Sequence, residues 1–130
     1  MANLDQKHVL LVEDDEAVAK VVTRRLMRDG FEVHTVSRGE IALAYAAAHR
    51  PDLVILDLQL PDMHGYQVAR QLRTLYHSWV VPILMLTGMD QAIDQLRGFA
   101  FGADAYMTKP YDADELLGTV RLLLGEPVWI

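Results

Sequence analysis

The chain has 130 residues, which is enough for one domain with a sizeable core and leaves no room for a second catalytic domain. Its composition, 52% hydrophobic and 23% charged, is that of a folded protein, and the absence of cysteine excludes disulfide scaffolds, thiolate metal sites and thiol catalysis. The formal charge of −6 argues against binding to a nucleic-acid backbone, which relies on clustered lysine and arginine.

The predicted elements alternate between strand and helix from the start of the chain. A continuous apolar run at 9–12 predicts a strand that is covered by helices on both faces. An amphipathic segment at 15–29 predicts a helix, and Gly30 suits its end. The weaker run at 32–36 predicts a strand nearer the edge of the sheet.

The second helix is predicted at 39–49. Ser37 is its expected N-cap, with Glu40 three residues later to return a hydrogen bond to the cap amide. A second continuous apolar run, 53–56, predicts another buried strand, and the amphipathic segment 65–77 predicts the third helix.

The last third of the chain repeats the alternation. The apolar run 83–86 predicts a buried strand, 90–101 a helix, and 105–108 a strand of edge character. The fifth helix is predicted at 112–124, with Asp112 as its N-cap. Five such units with short connections and right-handed crossovers predict an α/β fold. We expect a flavodoxin-like, doubly wound sheet of five parallel strands in the order 2-1-3-4-5, with five helices on its two faces.

Polar side chains follow four of the predicted strands, at the sheet edge where such folds bind ligands. These side chains belong to Glu13-Asp14-Asp15-Glu16, Asp57, Thr87 and Lys109-Pro110. Each has an ordinary structural explanation by itself, as a helix cap, a turn residue or a solvated strand end. Together they bring carboxylates, a hydroxyl and an ammonium group into one crevice.

The carboxylates of this crevice call for a cation. Carboxylates ~5 Å apart repel by roughly 3 kcal/mol per pair at an effective dielectric of about 20, and oxygen-only ligands suit Mg²⁺. With a metal there, Asp57 becomes an in-line nucleophile toward a phosphoryl group.

From about His8 to Leu124 the chain resembles the receiver domains of two-component response regulators. The resemblance is carried by VLLVEDDE, LVILDLQLPDMHGYQVARQL, PILMLTG and GADAYMTKPYDADEL at the family's usual spacing. It implies a signalling switch rather than an enzyme, one that assists only its own phosphorylation and dephosphorylation. Asp57 would accept the phosphoryl group from a phosphohistidine of a sensor histidine kinase or a histidine phosphotransfer protein.

The resemblance also implies a metal-binding set for Mg²⁺. Asp14 and Asp57 would be direct ligands, together with the backbone carbonyl of Gln59, and Glu13 would act through water. Asp15 is the competing candidate for the direct ligand, ranked below Asp14 because the family's acidic pair directly follows the last apolar residue of the strand.

Further roles follow from the same resemblance. Lys109 would pair with the phosphoryl oxygens, and Thr87 would donate its hydroxyl to one of them. In the switch, Thr87 moves toward the phosphoryl group and Tyr106 rotates inward, which changes the surface formed by helix 4, strand 5 and helix 5. Gly65 and Pro110 would have structural roles, with a cis peptide bond before Pro110.

Departures from the family pattern limit what the resemblance implies. Members joined to winged-helix transcription domains usually carry a charged set across the output face. Asp104 and Arg121 remain of that set, but Gln95, Ala105 and Thr119 occupy three other places. We therefore expect a monomer or a phosphorylation-dependent dimer. The dimer that winged-helix members form through this charged set is less favoured here.

Two other functions stay open from the residues alone. A Mg²⁺-dependent phosphohydrolase of the haloacid-dehalogenase type also uses an aspartate at a strand end, but it needs a second one two positions later, where Gln59 stands. Gln59 and Met89 also occupy the positions that tune hydrolysis of the acyl phosphate in the family, so the phosphoryl lifetime does not follow from the resemblance. The other alternative is an interaction module with the same fold that works without phosphorylation; the complete set of site residues argues against it.

The expected organisation is an N-terminal extension at 1–7, a receiver domain at 8–124, and a tail or the start of a linker at 125–130. An output domain or a downstream protein is then a possible partner, and direct nucleic-acid or membrane binding by this domain is not expected. No apolar leader or run of ~20 apolar residues is present, so we expect a cytoplasmic protein. The five histidines have no metal-ligand spacing and are predicted to be surface residues.

Overall fold

The computed structural model describes residues 6–75 and 80–126, in which strands and helices alternate. The strands are β1 (His8–Val12), β2 (Glu32–Val36), β3 (Leu53–Leu56), β4 (Ile83–Thr87) and β5 (Ala105–Thr108). The helices are α1 (Glu16–Arg28), α2 (Gly39–His49), α3 (Gly65–Leu75), α4 (Ala92–Ala100) and α5 (Ala113–Leu123). The predicted end of the third helix at 77, most of the N-terminal extension and most of the C-terminal tail lie outside the described residues.

The five strands form one sheet in the order β2-β1-β3-β4-β5, and every neighbouring pair is parallel. This confirms the predicted topology. The pairing places Val12 opposite Leu56 in the two central strands, so the chain leaves β1 and β3 at the same level. The residues that follow these strands are therefore neighbours at the carboxyl edge of the sheet.

Alternate side chains of the sheet enter two separate cores, as the pleat of a strand requires. Leu10 and Leu56 pack with α2 and α3 on one face, whereas Leu11 and Ile55 pack with α1 and α5 on the other. All four leucine and isoleucine side chains are at most 1% exposed. The continuous apolar runs of the sequence are thus explained by burial on both faces.

Side chains cap the first turns of α1, α2 and α5. Asp15 caps α1 by accepting hydrogen bonds from Ala17 and Val18, and Asp112 caps α5 as predicted. The prediction that Ser37 caps α2 is wrong. The residue before α2 is Arg38, which makes no side-chain cap, and Asp62 accepts hydrogen bonds from the amides of Gly39 and Glu40 at 2.8 and 2.9 Å. A carboxylate from a distant loop has taken the place of the local hydroxyl.

Helix α4 packs differently from its neighbours. Its buried residues are Asp94 and Gly98, whereas the large apolar side chains of Ile93, Leu96 and Phe99 are 53%, 65% and 49% exposed. The carboxylate of Asp94 accepts a hydrogen bond from the amide of Gln91 and so closes the first turn. No helix in the described part of the chain is long and apolar enough to cross a membrane.

Candidate functional site

The predicted site residues come together at the carboxyl edge of the sheet. Glu13 and Asp57 directly follow the paired strands β1 and β3, Thr87 ends β4, and Lys109 directly follows β5. Backbone hydrogen bonds continue the sheet by one residue and fix these positions. They run from the amides of Glu13, Asp57 and Lys109 to the carbonyls of Val36, Val12 and Thr87, respectively, at 3.0, 3.0 and 2.7 Å.

Lys109 joins the two acidic strand ends. Its ammonium group donates to a carboxylate oxygen of Glu13 and, at 3.1 Å, to Oδ2 of Asp57. Both carboxylates are buried, with Glu13 3% and Asp57 6% exposed. Two buried acids therefore share one cation, which compensates only half of their formal charge.

The shared cation and the burial set the acid-base state of the site. Burial, followed by contact with Asp57, raises the pKa of Glu13 to about 7. Burial alone would raise the pKa of Asp57 as well, but contact with Glu13 and the charge of Lys109 outweigh it, so this pKa lies below its ordinary value. Burial acts to lower the pKa of Lys109, and the two carboxylates more than offset this effect and raise it. At neutral pH, Asp57 is therefore an ionised carboxylate beside a protonated amine.

Asp14 adds a third carboxylate to this corner. Carboxylate oxygens of Glu13, Asp14 and Asp57 all lie within 4.8 Å of one another. The carboxylate of Asp15 is used differently, because its Oδ1 accepts the amides of Ala17 and Val18 at 2.9 and 3.2 Å. Three oxygen ligands around a single ammonium group leave a formal negative charge, and this donor set fits a hard divalent cation such as Mg²⁺.

The remaining predicted residues surround this corner. Gln59 donates its amide to Oδ1 of Asp57 at 3.3 Å. Thr87 is fully buried, and its hydroxyl accepts the amide of Met89 at 3.4 Å. The peptide bond between Lys109 and Pro110 is cis.

Gly65 begins α3 directly against the two residues that follow β3. Its amide donates to the carbonyl of Leu58 at 2.8 Å, and a Cβ added at this position would lie 2.5 Å from the carbonyl oxygen of Asp57. Any larger residue would therefore displace the backbone that carries Asp57.

Tyr106 lies partly buried against the core on the α2 and α3 side of the sheet. Its hydroxyl donates to the carbonyl of Met89 at 2.7 Å. A Cβ added at Gly98 of α4 would lie 2.9 Å from its ring. The ring is thus turned inward, beneath α4.

Three features of the site region were not predicted from the sequence. Tyr66 donates its hydroxyl to the backbone carbonyl of Asp94 at 2.7 Å and stacks on Phe101. The hydroxyl of Tyr111 is buried without a hydrogen-bond partner among the described residues. An open groove of about 500 Å³ borders Lys109, between α1 and the turn after β5; it is lined by Ala17, Val18, Val21, Lys109, Pro110 and Tyr111.

The histidines are less scattered than the sequence indicated. His34 and His49 stack on opposite sides of the Tyr45 ring, with centroids 3.9 and 4.3 Å away, and the Tyr45 hydroxyl lies 2.8 Å from Nε2 of His8. His8 is half-buried, whereas His34, His49 and His64 are exposed as predicted. His77 lies outside the described residues. The cluster sits at the start of β1, at the opposite end of the strand from Glu13.

Comparison with known proteins gives a consistent assignment. Residues 9–121 match the family model of the response regulator receiver domain. The cell cycle response regulator CtrA of Brucella ovis is 44% identical over 117 residues, which are 89% of this chain and 49% of the relative. The chain thus spans about half the length of the curated relatives it matches.

Solved structures with the same fold include a candidate response regulator from Chloroflexus aurantiacus. It has a TM-score of 0.89 and 33% identity, and the match covers 94% of this chain and all of that one. The receiver domain of a sensor histidine kinase from Pseudomonas aeruginosa, which has a magnesium ion coordinated in its active-site cleft, matches with a TM-score of 0.85 and 29% identity. That match covers 93% of this chain and 99% of that one.

Proposed function

Because the chain belongs to the response regulator receiver domain family, we propose that it is a signalling switch controlled by phosphorylation of Asp57. The observation that carries the proposal is the ionised, buried carboxylate of Asp57 held beside Lys109 and two further acids. This arrangement combines a nucleophile, a cation and a metal-binding corner. Phosphoryl transfer is catalysed largely by positioning and charge neutralisation, and the site supplies both.

The proposed reaction transfers a phosphoryl group from a phosphohistidine of a partner protein. A carboxylate oxygen of Asp57 attacks phosphorus and forms a P–O bond, while the P–N bond breaks and its electron pair leaves with the imidazole. The phosphoryl group brings about −1.5 to −2 charge and three acceptor oxygens. Lys109 then pairs with one oxygen, and the hydroxyl of Thr87 donates to another.

Asp14 and Asp57, with the carbonyl of Gln59, are the residues we propose to hold Mg²⁺, and Glu13 acts on it through water. The ion would supply positive charge that offsets the phosphoryl oxygens. In our assignment Asp15 is excluded as a direct ligand because its carboxylate already caps α1. The choice rests on the geometry of the acidic corner, where Asp14 and not Asp15 completes the set of three.

The partner we propose is a sensor histidine kinase or a histidine phosphotransfer protein. The groove beside Lys109 supports this assignment because a donor seated there lies next to the site, and its lining from α1 is small and apolar. Lys20, Arg24 and Arg28 are exposed along the same helix at intervals of four residues. An acidic rim on the partner would complement them.

Output is proposed to run through the surface of α4, β5 and α5, with Thr87 and Tyr106 as switch residues. Asp104 and Arg121, which the chain keeps from the charged dimer set, pair within the chain: Asp104 with Arg73 at 2.7 Å and Arg121 with Glu126 at 3.7 Å. We therefore favour a monomer, or a phosphorylation-dependent dimer that does not use these charges. The receiver boundaries at 8 and 124, the structural role of Pro110 and a cytoplasmic location stay predictions.

Phosphorylation can be tested with Mg²⁺ and acetyl phosphate, followed by intact-mass analysis. We expect one base-labile phosphoryl group on the wild type and none on Asp57→Asn. Asp52→Asn is the matched control, because Asp52 precedes the same strand at the opposite edge of the sheet and accepts a hydrogen bond from His8. A wild type that gains no phosphoryl group would contradict the proposal and favour an interaction module. Catalytic turnover of a phosphate ester, lost in Asp57→Asn, would instead indicate the phosphohydrolase.

A further inference from the structure

Helix α4 is fixed by polar contacts more than by apolar packing. Its buried residues are Asp94 and Gly98, and its largest apolar side chains face outward. Most of the stability of a protein helix normally comes from packing of an apolar face. For α4, single hydrogen bonds therefore carry an unusual share of what holds the helix in place.

Tyr66 contacts both ends of this helix. Its hydroxyl donates to the carbonyl of Asp94 in the first turn at 2.7 Å. Its ring stacks on Phe101, the residue after the last turn, with a centroid distance of 5.2 Å and an interplanar angle of 13°. Tyr66 is 9% exposed, so water competes little for the hydrogen bond.

The backbone beside Tyr66 is held closely to Asp57 and Leu58, the two residues that follow β3. Gly65, its neighbour, donates to the carbonyl of Leu58 at 2.8 Å and has no room for a Cβ beside Asp57. The first turn of α3 therefore cannot shift unless the backbone of Asp57 and Leu58 shifts with it.

We propose that Tyr66 is a positioning residue that couples the state of Asp57 to the position of α4. The coupling runs from the backbone of Asp57 through Gly65 to the Tyr66 hydroxyl and the carbonyl of Asp94. It is a second connection to α4 and adjoins the one through Thr87 and Tyr106, because the side chains of Tyr66 and Tyr106 lie close enough to interact. This inference rests on the proposed function and names an element of its regulation.

The direction of the coupling is inferred from the position of Tyr106 together with the switch that the resemblance to receiver domains implies. The Tyr66–Asp94 hydrogen bond occurs together with an inward Tyr106, whose hydroxyl is bonded to Met89 beneath α4. Inward Tyr106 is the position expected when Asp57 carries a phosphoryl group. A phosphoryl analogue therefore stabilises the arrangement that contains the Tyr66–Asp94 hydrogen bond. By reciprocity, loss of that bond weakens binding of the analogue by the same factor.

The test compares Tyr66→Phe with the wild type in the presence of Mg²⁺, with and without beryllofluoride. Phenylalanine keeps the stacked ring and removes only the hydroxyl. Hydrogen exchange measured by mass spectrometry should show that beryllofluoride protects α4 in the wild type. This protection factor should fall about two- to twelvefold in the variant, the range that corresponds to a typical net hydrogen bond. A fluorine NMR titration should show weaker beryllofluoride binding by the same factor.

Tyr45→Phe is the matched control. It removes the hydroxyl of a half-buried tyrosine on α2 that contacts His8 and not α4, so both readouts should equal those of the wild type. If Tyr66→Phe speeds exchange in α4 equally with and without beryllofluoride, and binding is unchanged, the hydroxyl is only structural and the inference is overturned. If the wild type itself shows no response to beryllofluoride, the proposed function fails and this inference fails with it.

Discussion

Glu13 determines how much charge the site carries near neutral pH. Asp57 and Lys109 are both ionised there, because the pKa of the first is lowered and that of the second is raised. The pKa of Glu13, raised by burial and by contact with Asp57, is about 7. A proton on Glu13 thus leaves Asp57 and Lys109 as a balanced pair, and its loss leaves an uncompensated buried charge.

A pH dependence of stability follows from this shift. The folded pKa of Glu13, about 7, lies above the ordinary value of 4.5, so the folded chain holds this proton more tightly than the unfolded chain. The stabilisation is complete below about pH 4.5 and is lost as the pH rises through about 7. In metal-free protein we expect the contribution of Glu13 to the free energy of unfolding to fall by roughly 3 kcal/mol across this window, measured by urea denaturation.

Glu13→Gln removes this titration. The pKa values of Asp57 and Lys109 also depend on Glu13, but in the wild type both lie outside the window. The difference in unfolding free energy between wild type and variant should vary with pH only between about 4.5 and 7. The contribution of Asp57, whose pKa is lowered, is lost only at more acidic pH, and that of Lys109 only at strongly basic pH. A difference that stays constant across the window would contradict the assigned pKa of Glu13.

Individual residues of the site could be predicted from the sequence where they directly follow a strand. Asp57 and Lys109 each directly follow an apolar strand, and parallel strands bring such positions to one edge. Tyr66 could not be found in this way. Its hydroxyl bonds a backbone carbonyl 28 residues further on, and every residue type carries such a carbonyl, so the sequence holds no sign of the pairing.

At the scale of elements, the start of α2 shows how a distant residue can replace a local signal. Ser37 and Glu40 have the spacing of a capping box, yet Asp62 supplies the cap. An ionised carboxylate accepts stronger hydrogen bonds than a hydroxyl does. The contact also ties the loop between β3 and α3, which follows Asp57, to the neighbouring helix.

Substitutions at these two positions should therefore have unequal effects. Asp62→Ala removes both cap hydrogen bonds and should lower the free energy of unfolding by about 1 kcal/mol. Ser37→Ala removes no cap bond and should change it by less than about 0.5 kcal/mol. Urea unfolding of both variants measures the difference. Equal losses of unfolding free energy, or a larger loss for Ser37→Ala, would indicate that the hydroxyl of Ser37 caps α2.

At the scale of the whole molecule, the sheet order creates the site. Acidic residues 43 or more positions apart in the chain meet because β1 and β3 are paired neighbours in the order β2-β1-β3-β4-β5. The alternation of apolar runs and amphipathic segments was enough to predict this topology, since short right-handed connections leave few alternatives. The unfolded chain has no such cluster, so a cation that needs it binds only the folded state.

Mg²⁺ should accordingly stabilise the fold. At a concentration 100 times its dissociation constant, the expected gain is about 2.7 kcal/mol, observed as a rise in Tm with added magnesium chloride. Asp14→Asn should abolish most of this rise. Asp15→Asn should retain it, because asparagine still caps a helix and the acidic corner is intact. The reverse result would make Asp15 the ligand in place of Asp14.

The packing of α4 also has a consequence for the volume of the core. Withdrawing a helix such as α1, which inserts Val22 and Leu26 between the sheet and α5, would open a void that costs ~24 cal/mol for each Å³. Moving α4 opens little void, because the groups it buries are an aspartate and a glycine. Displacement of α4 therefore costs little cavity free energy, and the helix can change position while the two cores stay filled.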